Sequence, residues 1–163
     1  MPRALLIIDV QRTLCEGRHA CFEVERVIDR INQVSRAART AGVPVVLIQH
    51  ETTGGGSMDR GSPGWELAPD LETAPGDQRV GKRATDAFHQ PDLQALLQRL
   101  GVDELVICGL QSDFCVDTTT RRALALGYPV VLVTDGHSTL DNGVLSAPQI
   151  GVRHARRLKS VDS

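Results

Sequence analysis

Aromatic residues are scarce in this sequence, and neither sign of charge is in clear excess. One Trp, one Tyr and three Phe occur among 163 residues, so few rings can stack on an aromatic ligand. The 18 Lys and Arg against 20 Asp and Glu leave a formal net charge of -2, which provides no strongly basic surface for a nucleic acid or an anionic membrane. We therefore expect no nucleic-acid partner, and the composition favours a small polar substrate over an aromatic one.

The sequence also lacks a long hydrophobic run and a metal-binding cysteine pattern. No stretch approaches the roughly 20 apolar residues of a membrane helix, and the apolar start has no small-residue cleavage site after it. Cys15, Cys21, Cys108 and Cys115 lie at spacings that fit no zinc pattern, so we expect free thiols. These features predict a cytoplasmic protein without a membrane partner.

Short apolar runs alternate with helical patterns along the chain. The β-branched runs at 5–10, 43–48, 105–108 and 130–134 predict strands that are buried on both faces. Helical spacing predicts helices over 23–41, 91–100 and 115–126, each followed by a glycine. This order predicts one α/β domain over residues 1–163, with a parallel sheet, helices on both faces, and a ligand site at the carboxyl ends of the strands.

Residues 51–80 interrupt the alternation with three consecutive glycines, three prolines and Trp65. We interpret them as a long loop in which Trp65 closes a pocket or contacts a neighbouring subunit. A loop packed by its own side chains is the alternative. Farther along, the basic residues from Arg153 to Lys159 predict the exposed end of a last helix.

Three residues could carry chemistry. Asp9 ends an apolar strand, where a carboxylate needs a partner or a task. Cys115 follows a strand and a turn, so we expect a helix N-terminus to stabilise its thiolate and the free amides to bind an oxyanion. Cys108, inside the strand, is predicted to be an inert core residue. Lys82 has charged neighbours and by itself predicts only a solvated lysine.

Taken together, these segments resemble the cysteine hydrolase branch of the isochorismatase-like superfamily, which includes nicotinamidases and N-carbamoylsarcosine amidases. The resemblance covers nearly the whole chain and rests on LIIDVQ at 6–11, Lys82 with AF at 87–88, and GLQSDFCVDTT at 109–119. It implies a three-layer Rossmann-like fold with about five or six strands. It also implies Cys115 as nucleophile, Asp9 as base, Lys82 as the cation between them, and a cis peptide before Gln111 that aims the amides of Gln111 and Cys115 at an oxyanion.

The implied reaction is metal-independent hydrolysis of a small amide or ureide through a thioester, without a cofactor. Metal-dependent nicotinamidases of the superfamily carry an Asp-x-His pair after the second strand, whereas this chain has QHE at 49–51. The resemblance also implies a homo-oligomer. Side chains near the strand ends or motif turns are candidates for substrate contact, with core packing as the alternative for each: Leu14, His50, Phe88, Phe114 and His137.

Three alternatives stay open at this point. Asp135, His137 and Ser138 could form a serine hydrolase triad, although three residues within four positions rarely converge and no Gly-x-Ser-x-Gly elbow is present. The isochorismatase reaction, cleavage of a vinyl ether, needs no nucleophilic cysteine. A binding module or redox sensor could use Cys115 only as a reactive thiol.

Overall fold

Five parallel strands form a single sheet in the computed structural model, which describes residues 2–90 and 92–139. The strands are β1 Arg3–Ile8, β2 Val45–His50, β3 Gln78–Lys82, β4 Glu104–Leu110 and β5 Val130–Ser138. The α-helices are α1 Arg12–Cys15, α2 Val24–Thr40, α3 Asp92–Arg99 and α4 Asp117–Ala125. The strand order is β3-β2-β1-β4-β5, and every neighbouring pair is parallel.

Helices cover both faces of this sheet because side chains of a strand point alternately to its two faces. Leu5 and Ile7 of β1 lie in the core layer that packs against α2. Ala4, Leu6 and Ile8 lie in the layer that packs against α3 and α4. The predicted three-layer α/β fold is confirmed.

The strand order reverses at β1, the central strand. The chain moves outward from β1 through β2 to β3, and then crosses back to place β4 on the other side of β1. In open α/β sheets the crevice for a ligand lies at such a switch point, outside the carboxyl ends of the strands. Asp9 follows β1 at this edge, and the segment that holds Cys115 follows β4.

A glycine allows β1 and β4 to approach each other closely at this crevice. Gly109 pairs with Ile8 and has a φ of 125°, and a Cβ built on it would lie 2.1 Å from the Ile8 carbonyl oxygen. Any side chain at position 109 would therefore force the two strands apart next to Asp9.

The main departure from the predicted fold is β3. The sequence predicts a loop at residues 78–80, but Gln78–Lys82 forms an edge strand that pairs with β2. The sequence does not predict this strand because it is short, carries charged residues and is mostly exposed. Trp65 is half-buried in a short 3₁₀ turn, Pro63–Trp65.

Other boundaries differ by a few residues. The predicted helix 115–126 is a π-helical segment, Ser112–Val116, that continues into α4. Pro91 and the basic residues from Arg153 to Lys159 lie outside the described residues. In the part of the chain that is described, no helix is long and apolar enough to cross a membrane.

Candidate active site

Asp9 sits at the point where β1 turns away from the sheet. Its N–H donates to the Ile48 carbonyl at 2.9 Å, which completes the pairing with β2. Its φ of 54° then redirects the chain, and Gln11 N–H donates back to the Asp9 carbonyl at 2.8 Å. The Asp9 side chain is only 2% exposed, so its carboxylate needs a cation or hydrogen-bond donors in the interior.

Lys82, the last residue of β3, provides that cation. Its Nζ lies 3.1 Å from Asp9 Oδ2, and the two side chains are 4% and 2% exposed. The same ammonium donates to the Ala84 carbonyl at 2.9 Å and to Cys115 Sγ at 3.2 Å. Lys82 is therefore buried at the centre of the site, and the expectation of a solvated lysine that its charged neighbours gave is wrong.

Cys115 lies within the π-helical segment that follows β4. The peptide bond between Leu110 and Gln111 is cis, as the family resemblance implied. The Gln111 carbonyl accepts hydrogen bonds from the N–H groups of Phe114 and Val116, the two residues that flank Cys115. This turn places the sulfur against Lys82 at the switch point between β1 and β4.

The surroundings of Cys115 raise the pKa of its thiol to about 12. Burial is the largest cause, the Asp9 carboxylate adds to it, and Lys82 offsets it only in part. We expected the helix terminus to favour the thiolate, and this expectation is wrong because desolvation outweighs the attraction of the nearby cation. At neutral pH Cys115 is therefore a protonated thiol.

His50, the last residue of β2, completes the group of polar side chains. Its Nδ1 lies 3.2 Å from Lys82 Nζ. Since an ammonium can only donate, a hydrogen bond between these two atoms requires a lone pair on Nδ1. Burial and the charge of Lys82 both lower the pKa of His50, so the ring is neutral at physiological pH.

Asp9, His50 and Cys115 also have the chemistry of a metal-ligand set, with their donor atoms within 4.8 Å of one another. The Lys82 ammonium, however, lies within 3.2 Å of an atom of each of the three. A second cation at this position would be repelled by the first. The arrangement therefore suits a fixed ammonium better than a metal ion.

Comparison with known families decides where the chain belongs. A family model described as the isochorismatase domain matches residues 3–145, most of the chain. The protein is a member of the isochorismatase family. The predicted superfamily is thereby confirmed.

Two isochorismatase-family relatives from Streptomyces noursei are both named streptothricin hydrolase. They are 42% and 38% identical to this chain over 148 residues, which cover 91% of it. The chain spans only 53% and 58% of their length. A crystal structure of an isochorismatase family protein has a TM-score of 0.90 and 38% identity, with 95% of this chain and 92% of the other covered.

More distant family members have other names. They include Nicotinamidase 3 of Arabidopsis thaliana and a ureidoacrylate amidohydrolase of Pseudomonas savastanoi pv. phaseolicola, each 27% identical. These relatives are thus named as hydrolases or amidases, which agrees with the prediction of a hydrolase. The predictions of a homo-oligomer, a cytoplasmic location and a single domain over 1–163 stay predictions.

The structure separates the predicted substrate contacts. His50 joins the polar group, and Phe114, adjacent to Cys115, is 55% exposed. Phe88 instead belongs to the core, where its ring stacks on Tyr128 with centroids 6.1 Å apart. Leu14 is half-buried and packs against the core layer of α2.

His137 is also placed in the interior and not on an open pocket wall. It pairs with Gly109 across β4 and β5 and is 8% exposed. Its Nδ1 lies 2.6 Å from the Oγ atom of Ser112, at the start of the turn that leads to Cys115. The hydrogen bond between His137 and Ser112 thus stabilises the start of the turn that leads to Cys115.

The alternative serine triad is not assembled. Asp135 points to solvent and pairs with Arg30 at 2.8 Å, with 59% of its side chain exposed. The Ser138 hydroxyl donates to the Phe22 carbonyl at 2.5 Å. With His137 bonded to Ser112, the three side chains engage three different partners.

Two components of the site are not predicted from the sequence. The Ala84 carbonyl, two residues after Lys82, orients the ammonium and carries no sequence signal because it is a backbone group. Gln11 is completely buried and binds the backbone of His50. Its place two residues after Asp9, in the quoted LIIDVQ motif, was the signal that could have found it.

Proposed function

We propose that this protein is a metal-independent cysteine hydrolase that cleaves a small amide, ureide or related C–N bond through a thioester. The observation that carries the proposal is the convergence of Asp9, Lys82 and Cys115 from the ends of β1, β3 and β4. One buried ammonium contacts both the carboxylate and the sulfur. Such a cluster is costly to bury, which is typical of sites where the groups have a chemical task.

The first half of the reaction is acyl transfer to Cys115. The thiol proton passes to Asp9 as the sulfur attacks the substrate carbonyl carbon. The Oδ1 atom of Asp9 is buried and has no hydrogen-bond partner among the described residues, so it is free to accept that proton. Asp9 then returns the proton to the leaving nitrogen, the C–N bond breaks, and the acyl group stays on sulfur.

The second half returns the enzyme to its starting state. Water attacks the thioester carbonyl and gives a proton to Asp9, the C–S bond breaks, and the sulfur regains its proton as the acid leaves. Lys82 stays charged throughout and stabilises whichever of Asp9 and Cys115 is anionic. In both halves the amides of Gln111 and Cys115 are proposed to bind the oxyanion.

The high pKa of the Cys115 thiol, about 12, fits this division of labour. A thiol that is protonated at rest resists oxidation and adventitious alkylation, and it becomes nucleophilic only when a base is positioned to take its proton. A redox sensor needs the opposite, a thiolate at neutral pH. The case for the hydrolase rests on the base beside the sulfur, since the donor atoms of Asp9 and Cys115 lie within 4.8 Å of each other.

The proposed substrate class draws support from the names of the relatives. Streptothricin hydrolase, nicotinamidase and ureidoacrylate amidohydrolase each name the hydrolysis of a different compound. The chain itself supplies few aromatic rings, and Phe88 is committed to the core. We therefore place small polar amides and ureides ahead of aromatic amides, with streptothricin as the first compound to test.

Mass spectrometry of the intact protein after rapid quenching tests the proposal. Incubation with a panel of streptothricin, amides, ureides and isochorismate should give an acyl adduct on Cys115 with at least one C–N substrate. Cys115→Ser should abolish thioester formation, while Cys108→Ser, which changes a fully buried cysteine of β4, should keep it.

The other outcomes identify the rivals. Turnover of isochorismate that survives Cys115→Ser would replace the proposal with vinyl ether cleavage. Rapid oxidation of Cys115 by peroxide, with no compound of the panel turned over, would replace it with a thiol sensor.

A further inference from the structure

Gln11 is a completely buried polar residue to which the proposed mechanism gives no role. Its Nε2 donates to the carbonyl oxygens of His50 at 2.9 Å and Trp65 at 2.8 Å. Its Oε1 accepts from the His50 N–H at 2.9 Å. Both amide protons and one oxygen lone pair are thus used, and both backbone groups of His50 are bound by one side chain.

These bonds continue the sheet beyond the point where its backbone pairing stops. The pairing of β1 with β2 ends at Ile8 and Ile48, apart from the last bond from Asp9 N–H. Asp9 then turns the chain away with its positive φ, so β1 has no backbone group to pair with His50 of β2. The side-chain amide of Gln11 takes that place, because an amide carries the same donor and acceptor as a peptide group.

On the other side of β2, His50 faces Lys82, the proposed catalytic lysine. His50 pairs with Lys82 in the register of β2 and β3, and Glu51 N–H donates to the Lys82 carbonyl at 2.8 Å. The end of β2 is therefore held between Gln11 and β3. The relative positions of Asp9, His50 and Lys82 depend on both attachments.

We infer that Gln11 is a positioning residue whose side-chain amide fixes the end of β2 against the end of β1, and so holds His50 beside Lys82 and Asp9. The same amide ties the turn of Trp65 to the site. This inference deepens the proposed function, since the groups that it positions are the proposed catalytic ones. Its test is independent of turnover.

Gln49 provides a matched control. It is 5% exposed, and its Nε2 donates to the same Trp65 carbonyl at 3.1 Å. Among the described residues its side chain makes no hydrogen bond to His50. Gln11→Met and Gln49→Met therefore both remove a buried amide that binds Trp65, but only the first releases the end of β2.

The readout is the titration of the His50 ring, followed by NMR and assigned with His50→Asn. In the wild type, burial and Lys82 of β3 lower the pKa of His50, while Asp9, which follows β1, and Glu51, which follows β2, act in the opposite direction. Cys115 is the remaining ligand-type group close to the ring. If the end of β2 is released, water can reach the His50 ring, and the ring moves away from the Lys82 ammonium.

In Gln11→Met we expect the His50 pKa to shift upward toward its ordinary value, and in Gln49→Met we expect no shift. An unchanged His50 titration in folded Gln11→Met would overturn the inference. So would an equal shift in Gln49→Met, because the contact with the Trp65 turn would then suffice.

A measurement on the wild type covers the case in which Gln11→Met does not fold. The His50 amide should exchange with deuterium as slowly as the amides within β2, because it donates to Gln11. Exchange at the rate of an exposed loop amide would contradict the inference. Once a substrate is known, Gln11→Met should lower kcat by about 100-fold with little change in KM. Absence of an acyl adduct on wild-type Cys115 would count against the proposed function alone.

Discussion

Replacement of Lys82 by methionine removes the ammonium from the site while keeping a side chain of similar length. The ammonium pairs with Asp9 at 3.1 Å, and both side chains are almost fully buried. Removal of one partner of a buried ion pair costs about 3–5 kcal/mol, because the other charge stays in the interior without compensation. At about 2–4 °C per kcal/mol for a domain of this size, the melting temperature should fall by roughly 6–20 °C.

A surface ion pair gives the matched comparison. Arg30 and Asp135 lie 2.8 Å apart, closer than the buried pair, but their side chains are 46% and 59% exposed. Arg30→Met should therefore cost less than about 1 kcal/mol, because water solvates the charge that is left. The two variants differ mainly in the burial of the carboxylate that loses its partner.

Urea denaturation followed by circular dichroism measures both free energies of unfolding. Asp9→Asn and the double variant Lys82→Met with Asp9→Asn complete a thermodynamic cycle. The double variant should be less destabilised than the sum of the two single variants, since no buried charge is left in it. A Lys82→Met cost no larger than that of Arg30→Met, or strict additivity in the cycle, would show that the Asp9–Lys82 pair does not stabilise the fold in this way.

Three further predictions concern other parts of the site. Gly109→Ala should destabilise the protein by more than the roughly 1–2 kcal/mol expected for Gly101→Ala. Both glycines have a positive φ, but only a Cβ at position 109 would meet the β1 backbone. Equal losses of stability in urea denaturation would contradict this prediction. Iodoacetamide should label Cys115 in preference to the fully buried Cys108. Because the pKa of the Cys115 thiol is about 12, the labelling rate should rise about tenfold per pH unit from neutral pH. A rate that reaches a plateau near neutral pH would show a resting thiolate. The pKa of His50 is lower in the folded protein than in the unfolded chain. The unfolded chain therefore binds more protons once the pH drops below the ordinary histidine pKa of about 6.5, and the stability should fall there. In thermal melts His50→Asn should lose part of that acid sensitivity.

Much of the fold could be predicted because buried strands and an amphipathic helix leave local patterns. The apolar runs of β1, β2, β4 and β5 and the helical spacing of α2 all appear where the sequence predicts them, with boundaries that shift by a few residues. β3 could not be predicted this way. Its residues, QRVGK, are mostly polar or exposed, and they form a strand because β2 presents an edge with which to pair.

The candidate site divides in the same way. Motifs at 6–11, at Lys82 and at 109–119 identify Asp9, Lys82 and Cys115 through their resemblance to a family. Their chemical state is a different matter, because pKa values depend on burial and on charges brought from distant parts of the chain. The expectation of a resting thiolate at Cys115 failed for this reason.

The sequence by itself therefore determined the type of fold, the family and the residue types at the proposed catalytic positions, all of which are written in local patterns. Only the tertiary structure decided that Lys82 is buried between Asp9, His50 and Cys115, that Phe88 belongs to the core, and that Gln11 binds both backbone groups of His50. Each of these depends on contacts between residues far apart in the chain. Burial and hydrogen bonding are properties of such contacts, and no single segment contains them.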